Sequence, residues 1–162
     1  MVGYEGMLGI QVALGIATSP AKATVQGAGQ ALRLTARAFR LAMLDAPALR
    51  KSMLRYVGVL IAQSAGSAAC LHYHLLAPRM ARWLLDTHDR ARTADFDVTQ
   101  ELLAAMLGVR RAGVTQAAGE LQRAGVISYS RGRLAILDRV GLEAASCGCY
   151  AAQGLAYSSV MG

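Results

Sequence analysis

TQELLAAMLGVRRAGVTQAAGELQRAG, residues 99–125, decides the fold, because it spells two short amphipathic helices joined by a tight turn. Thr99 stands where an N-cap would accept a hydrogen bond from a free helical N–H, and Leu102, Leu103, Met106 and Leu107 follow at helical spacing. Gly108 ends that helix. Glycine takes positive φ at a C-terminal cap without a Cβ clash, so the chain can reverse and start a second helix at Arg110 or Arg111. Ala104 is small where the two helices must approach, and Val109, Val114, Ala117 and Leu121 supply a shared core. Arg110, Arg111, Ala112, Thr115, Gln116 and Gly119 are left outward on the second helix. Those residue types read bases: Arg pairs bidentately with guanine, Gln with adenine, and Thr meets phosphate or a thymine methyl.

Directly after this pair comes VISYSRGRLAIL, residues 126–137, two β-prone runs flanking Ser130, Arg131 and Gly132. A helix-turn-helix followed by a hairpin is a winged helix. Between residues 108 and 133, Arg110, Arg111, Arg123, Arg131 and Arg133 stand against Glu120 alone, a local charge of five minus one, or +4. The natural partner of such a surface is the phosphate backbone of double-stranded DNA. The whole chain points the same way, with a formal charge of +7 and a sequence pI near 9.8. Its 54% hydrophobic content excludes general disorder.

Outward from that centre, residues 78–89 predict a helix with Met80, Trp83, Leu84 and Leu85 buried and Arg79, Arg82, Asp86, Asp89 and Arg90 on its solvated face. Residues 91–97 read as a polar link. Before them, Asp45, Ala46 and Pro47 open a long helix reaching about His74, which at 1.5 Å per residue is on the order of 40 Å long. Met53, Val57, Leu60, Ser64, Ser67 and Leu71 fall on a heptad-like repeat in it, which suits a parallel two-stranded coiled coil and therefore a homodimer. Thr35 can cap a shorter helix containing Phe39, Leu41 and Leu44. Residues 7–14, 23–26 and 31–34, separated by a turn at Ser19 and Pro20, read as strands, the tail of a β domain whose earlier part is absent. After the wing, residues 139–145 predict a final helical turn, and the end of the chain reads as a loose tail.

These pieces define a mainly α (α+β) fold: a truncated β-roll remnant (1–45), a long dimerisation helix (46–76), a winged helix-turn-helix (77–145) and a C-terminal tail (146–162). In that order they resemble the C-terminal part of the Crp/Fnr (cyclic-AMP receptor protein) superfamily of bacterial transcription regulators. The resemblance is carried by RMARWLLDTHDR and the helix-turn-helix and wing that follow, and more weakly by YEGMLGI, ATVQGAG and ALRLTARAF. It implies a cytoplasmic homodimer that reads a near-palindromic site, with RNA polymerase as a further candidate partner. Carried over by position, Arg110 and Arg111 open the recognition helix, Arg111 matches the guanine-reading arginine, and Thr99 and Gln100 match the phosphate-facing end of the first helix. Ala112 and Gln116 replace a base-reading glutamate and an arginine, so the operator should differ. The family's ribose-holding glutamate is replaced by Met7 within Gly6-Met7-Leu8-Gly9, and residues 21–24 lack its phosphate-holding arginine-serine pair. Methionine offers only a weak acceptor, so cyclic AMP is not expected as the effector and no cofactor is assigned.

Other chemistry is thinly represented. No nucleophile-base arrangement or phosphate loop occurs, so an enzyme is not expected. Cys70 and His74 share a helix face at i and i+4, but two ligands make no closed site. Cys147 and Cys149 are too close for an unstrained disulfide and lack a second pair for zinc, so no metal is assigned. Three cysteines and no basic segment ahead of the first apolar run fit a reducing compartment without a cleaved signal. Two other classes stay open: a membrane-associated protein anchored by residues 56–76, which hold no Lys, Arg, Asp or Glu, and an interaction-only subunit pairing through the long helix. Polar residues within that span, and basic residues on both sides of it, argue against a membrane.

Overall fold

A computed structural model describes residues 1–19 and 21–162. Helix α1 (Ala36–Asp45) is capped by Thr35, whose hydroxyl accepts from the Ala38 N–H, and it buries Phe39 and Met43 while Leu41 and Leu44 stay exposed. Asp45 closes α1, and α2 (Pro47–Tyr73) starts from Ala46 without a side-chain cap. Proline at its first position costs nothing, since that N–H would have no intrahelical acceptor. Helix α3 (Leu76–Ala91) follows after two residues and buries Met80, Trp83, Leu84 and Leu85 as its periodicity predicts.

The winged unit is built on that buried stripe. Strand β1 (Asp95–Asp97), helices α4 (Gln100–Leu107) and α5 (Arg111–Arg123), and strands β2 (Ile127–Ser130) and β3 (Arg133–Ile136) come next, then α6 (Arg139–Ala145). The three strands form one antiparallel sheet in the order β1-β3-β2, with Phe96 opposite Leu134 and Ser130 opposite Arg133. One apolar core joins α3 to Leu103, Leu107, Val114, Leu121, Ile127, Leu134 and Leu142. The link expected over residues 91–97 thus contains the sheet's third strand, because Phe96 alternates inward between two outward aspartates.

Three other expectations are corrected. Residues 7–14, 23–26 and 31–34 form no strands; a 3-10 turn at Ile10–Leu14, bracketed by Gly9 (φ 82°) and Gly15 (φ 80°), is the regular element there. Isolated runs have no edge to pair with, and around residues 9–16 the backbone hydrogen bonds close locally instead. Pro20, half of the expected turn, lies outside the described residues. The C-terminal segment is not loose: Cys149–Met161 form a helix, α7, packed along α2, with Gln153 Nε2 3.5 Å from Ser67 Oγ and Tyr157 donating to the Glu5 carbonyl. Its residues carry no apolar stripe for periodicity to reveal.

Arg79 is the third correction. It is buried, and its Nη2 donates to the Leu107 carbonyl at the C-terminal end of α4, where helical carbonyls have no partner of their own. Arg90 and Asp89 likewise leave the solvated role. Arg90 pairs with Asp86 and with Glu5, tying the N-terminal segment to α3. Asp89 pairs with Arg139 at 2.7 Å and accepts from Tyr150 at 2.7 Å, linking α3 to α6 and α7. Burial acts to raise the Asp89 carboxyl, but the Tyr150 and Arg139 hydrogen bonds outweigh it and hold its pKa below the ordinary value.

Arg79→Ala is expected to destabilise the protein by about 2–3 kcal/mol, the range for losing a hydrogen bond from a charged donor and leaving a buried carbonyl unpaired. A urea titration followed by tryptophan fluorescence measures it, and an unchanged midpoint would mean that this contact contributes nothing.

Candidate nucleic-acid interface

Helix α4 ends at Gly108, which adopts φ 65° and returns its N–H to the Ala104 carbonyl. The Val109 N–H shares that acceptor. Arg110 is the extended N-cap residue of α5 and Arg111 its first helical residue. With Val114, Ala117 and Leu121 buried against α3 and α4, the helix presents Arg110, Arg111, Ala112, Thr115 and Gln116 outward, all of them exposed.

At the other end of α4, Thr99 accepts from the Leu102 N–H at 3.1 Å as the expected cap. Gln100, the first residue of α4, reaches across to α5. Its Oε1 accepts from Arg111 Nε at 2.8 Å and lies 3.4 Å from Thr115 Oγ1, while Arg111 Nη1 pairs with Glu101 Oε1 at 2.9 Å. The guanidinium is therefore aimed outward between two acceptors from α4. Its ion pair is about two-thirds exposed, at 67% for Arg111 and 64% for Glu101. An exposed pair of that kind contributes only about 0.2–1 kcal/mol, whereas a bidentate base contact is worth about 1–3, so a guanine edge can take Arg111 from Glu101.

The wing closes the same concavity. Between Ser130 and Arg133, Arg131 (φ 50°) and Gly132 (φ 82°) make the two-residue turn of a β-hairpin with both centres left-handed. Arg131 occupies that conformation at the exposed tip. Thr99, Gln100, Glu101, Arg111, Tyr129 and the turn residues 130–132 line a shallow groove of about 350 Å³. Tyr129 is anchored there by donating to the Val98 carbonyl at 2.8 Å. Arg133 lies exposed at the start of β3, opposite Asp97 in the β1–β3 register. Thr99, Gln100, Arg111 and Arg131 are thus brought to one groove, with Ala112, Thr115 and Gln116 along the adjoining helix face and Arg133 beside it. Glu101 and Tyr129 were missed by the sequence reading, since their part in the groove depends on how α4, α5 and the hairpin cross.

Residues 78–145 match the family described as the Crp-like helix-turn-helix domain. They are a Crp-like helix-turn-helix domain. In helix-turn-helix domains that bind DNA, the second helix of the pair lies in the major groove. A transcriptional regulator of the CRP family from Thermus thermophilus is 25% identical, with a TM-score of 0.51, over 58% of this chain and 51% of its own. A crp/fnr-family regulator from Eubacterium rectale is 26% identical over 67% of this chain and 50% of its own, with a TM-score of 0.48. This chain therefore spans about half the length of those regulators. No curated protein matches it.

The residues expected to pair two copies are partly covered within the chain. Met53, Val57, Leu60 and Ser67 are half-buried within the chain, Ser67 toward α7, while Ser64 and Leu71 are exposed. The freely exposed apolar face of α2 is offset from it, with Leu54, Gly58, Ile61, Ala65 and Ala68 again on a heptad-like spacing. The cysteines also differ. Cys70 and His74, set aside as an open pair, stand beside Cys147 and Cys149, set aside for want of a second pair. Burial pushes the Cys70 thiol up to about 12, with the Cys147 hydrogen bond adding to it and Arg82 opposing.

Glu101→Gln frees Arg111 and removes a negative charge from the groove; it should tighten binding to duplex DNA a few-fold at low salt without changing the preferred sequence. Fluorescence anisotropy on two unrelated duplexes checks this, and weaker binding would make Glu101 an indispensable support for Arg111. Arg131→Asn relieves a left-handed arginine at a position asparagine tolerates, worth up to about 1 kcal/mol of hairpin stability, while lowering DNA affinity and flattening its salt dependence. Parallel melting and salt titrations separate the two effects.

Proposed function

We propose that this chain is a DNA-binding transcription regulator that acts as a homodimer on a near-palindromic site and does not use cyclic AMP. The observation that carries the reading is Arg111 at the first turn of α5, exposed and steered by Gln100 and Glu101 above a groove completed by the wing. In this reading Arg110, Arg111, Ala112, Thr115 and Gln116 face base edges. Thr99, Gln100, Arg131 and Arg133 hold the phosphates on either side. A regulator so placed works in the cytoplasm, has RNA polymerase as a partner and carries out no catalysis.

The second copy joins through α2. Leu54, Gly58, Ile61, Ala65 and Ala68 leave an apolar strip along a 27-residue helix whose other side is covered by the chain itself. Small residues in the middle of the strip let two such helices approach closely. Pairing there sets two reading helices for two half-sites about one turn, roughly 34 Å, apart. Met7 in place of a carboxylate, in a segment without sheet structure, supports independence from cyclic AMP. One other reading has an observation behind it: α2 is long and apolar enough to cross a membrane, and only 17% of its most apolar window is buried.

Selection of bound sites from random duplex DNA, with the solution mass measured alongside, tests the proposal. The expected result is a dimer, soluble without detergent, enriching an inverted repeat whose half-sites lie one turn apart. Arg111→Ala should relax one guanine per half-site at a cost of about 1–3 kcal/mol. A monomer, a detergent requirement, or equal binding to all duplexes would overturn it, and a dimer that binds no DNA would leave only a pairing subunit.

A further inference from the structure

Four soft donors meet at the joint between the long helix and the winged unit. Cys70 and His74 lie on the last turn and C-cap of α2, and Cys147 and Cys149 bracket Gly148 at the start of α7. One donor atom from each lies within 4.8 Å of every other. Cys70 Sγ is 3.5 Å from Cys147 Sγ, and Cys149 Sγ is 3.6 Å from His74 Nδ1. A tetrahedral zinc ion, with bonds of about 2.3 Å to sulfur and about 2.0–2.1 Å to nitrogen, holds sulfurs about 3.8 Å apart and sulfur from nitrogen about 3.6 Å apart. The two measured spacings already match within a few tenths of an ångström.

We infer that Cys70, His74, Cys147 and Cys149 bind a single structural zinc ion. Three thiolates and an imidazole are the donor set that zinc favours, and all four positions come from the protein, so no position is left open for catalysis. Iron-sulfur clusters divide their thiolates among two or four irons and so spread the set more widely than these donors stand. A second observation agrees. Among the described residues Arg82 Nε and Nη1 are shut off from solvent without an acceptor, and the Arg82 charge acts to lower the Cys70 thiol. Neutral thiols offer that cation little. Three thiolates and a neutral imidazole around a divalent ion carry a net charge of −1, the counter-charge Arg82 lacks. Binding releases the three thiol protons to solvent and changes no oxidation state.

The site lies where α2, α3 and α7 meet. Only His74 and Leu75 separate α2 from α3, and the Cys147 N–H donates to the Pro78 carbonyl beside them. A bound ion would fix the angle at which the winged unit leaves α2 and anchor the first turn of α7. The inference stands whether or not the chain binds DNA.

The test is elemental analysis of the full chain purified with zinc and reductant and without chelator, followed by metal-competition titrations and cobalt substitution. One zinc per chain is expected, and cobalt should give the intense visible absorption of a tetrahedral thiolate site. Cys149→Ser and His74→Ala alter the less buried ligands; each should weaken zinc binding by more than the roughly 10–100-fold typical of losing an outer-shell partner, with helicity kept by circular dichroism. Chelation should speed amide exchange in residues 149–161. Protein that carries no zinc with its three thiols free to alkylation, equal zinc affinity in both folded variants, or a Cys70–Cys147 disulfide under the same reducing conditions would each overturn the assignment.

Discussion

The closure of α4 onto α5 is the constraint on which the rest of the molecule depends. Leu103 and Leu107 on one helix and Val114, Ala117 and Leu121 on the other are buried together against Met80 and Leu84 of α3. Burying each such side chain stabilises by about 1.5–3 kcal/mol, far more than any surface pair in the groove. The left-handed Gly108 lets the chain make the bend, and Arg79 takes up the Leu107 carbonyl that the end of α4 leaves without a helical partner. Once the crossing is set, Gln100 and Glu101 on one helix must meet Arg111 on the other. The electrostatics of the groove is thus a by-product of apolar packing.

Around that unit the molecule is tied by polar links. Arg139, Asp89 and Tyr150 bind α6, α3 and the first turn of α7, and Arg90 with Glu5 and Asp86 holds the N-terminal segment to α3. Helix α7 then lies along α2 and covers one side of it. Which side of α2 stays exposed is therefore decided in part by the C-terminal helix, whose Gln153 lies 86 residues along the chain from Ser67.

The winged unit could be read from its residues because its signals are local: a cap at Thr99, a glycine at the turn, a 3.6-residue period in α3 and a two-residue hairpin turn. The reading failed where tertiary partners decide. Apolar runs in residues 7–34 look like strands, but a strand exists only beside another. Helix α7 has no apolar period, and the side chains that fasten it are the polar tips of Tyr150, Gln153 and Tyr157. Arg79 passes for a surface residue by type, and only the position of Leu107 reveals its acceptor. The donors Cys70, His74, Cys147 and Cys149 formed two incomplete pairs in sequence, and only the packing of α7 on α2 makes them one group.

The tether on Arg111 has a consequence for how the protein would move along a genome. A free arginine attracts every phosphate alike and lengthens each stay on irrelevant sequence. On the proposed reading Glu101, paired with Arg111, would neutralise much of that pull until a base edge offered something better, and the tether would take more from random encounters than from the correct one. A modest loss in final affinity becomes a faster search and a wider gap between target and background, the quantity that governs occupancy when competing sites number about 10⁶ or more.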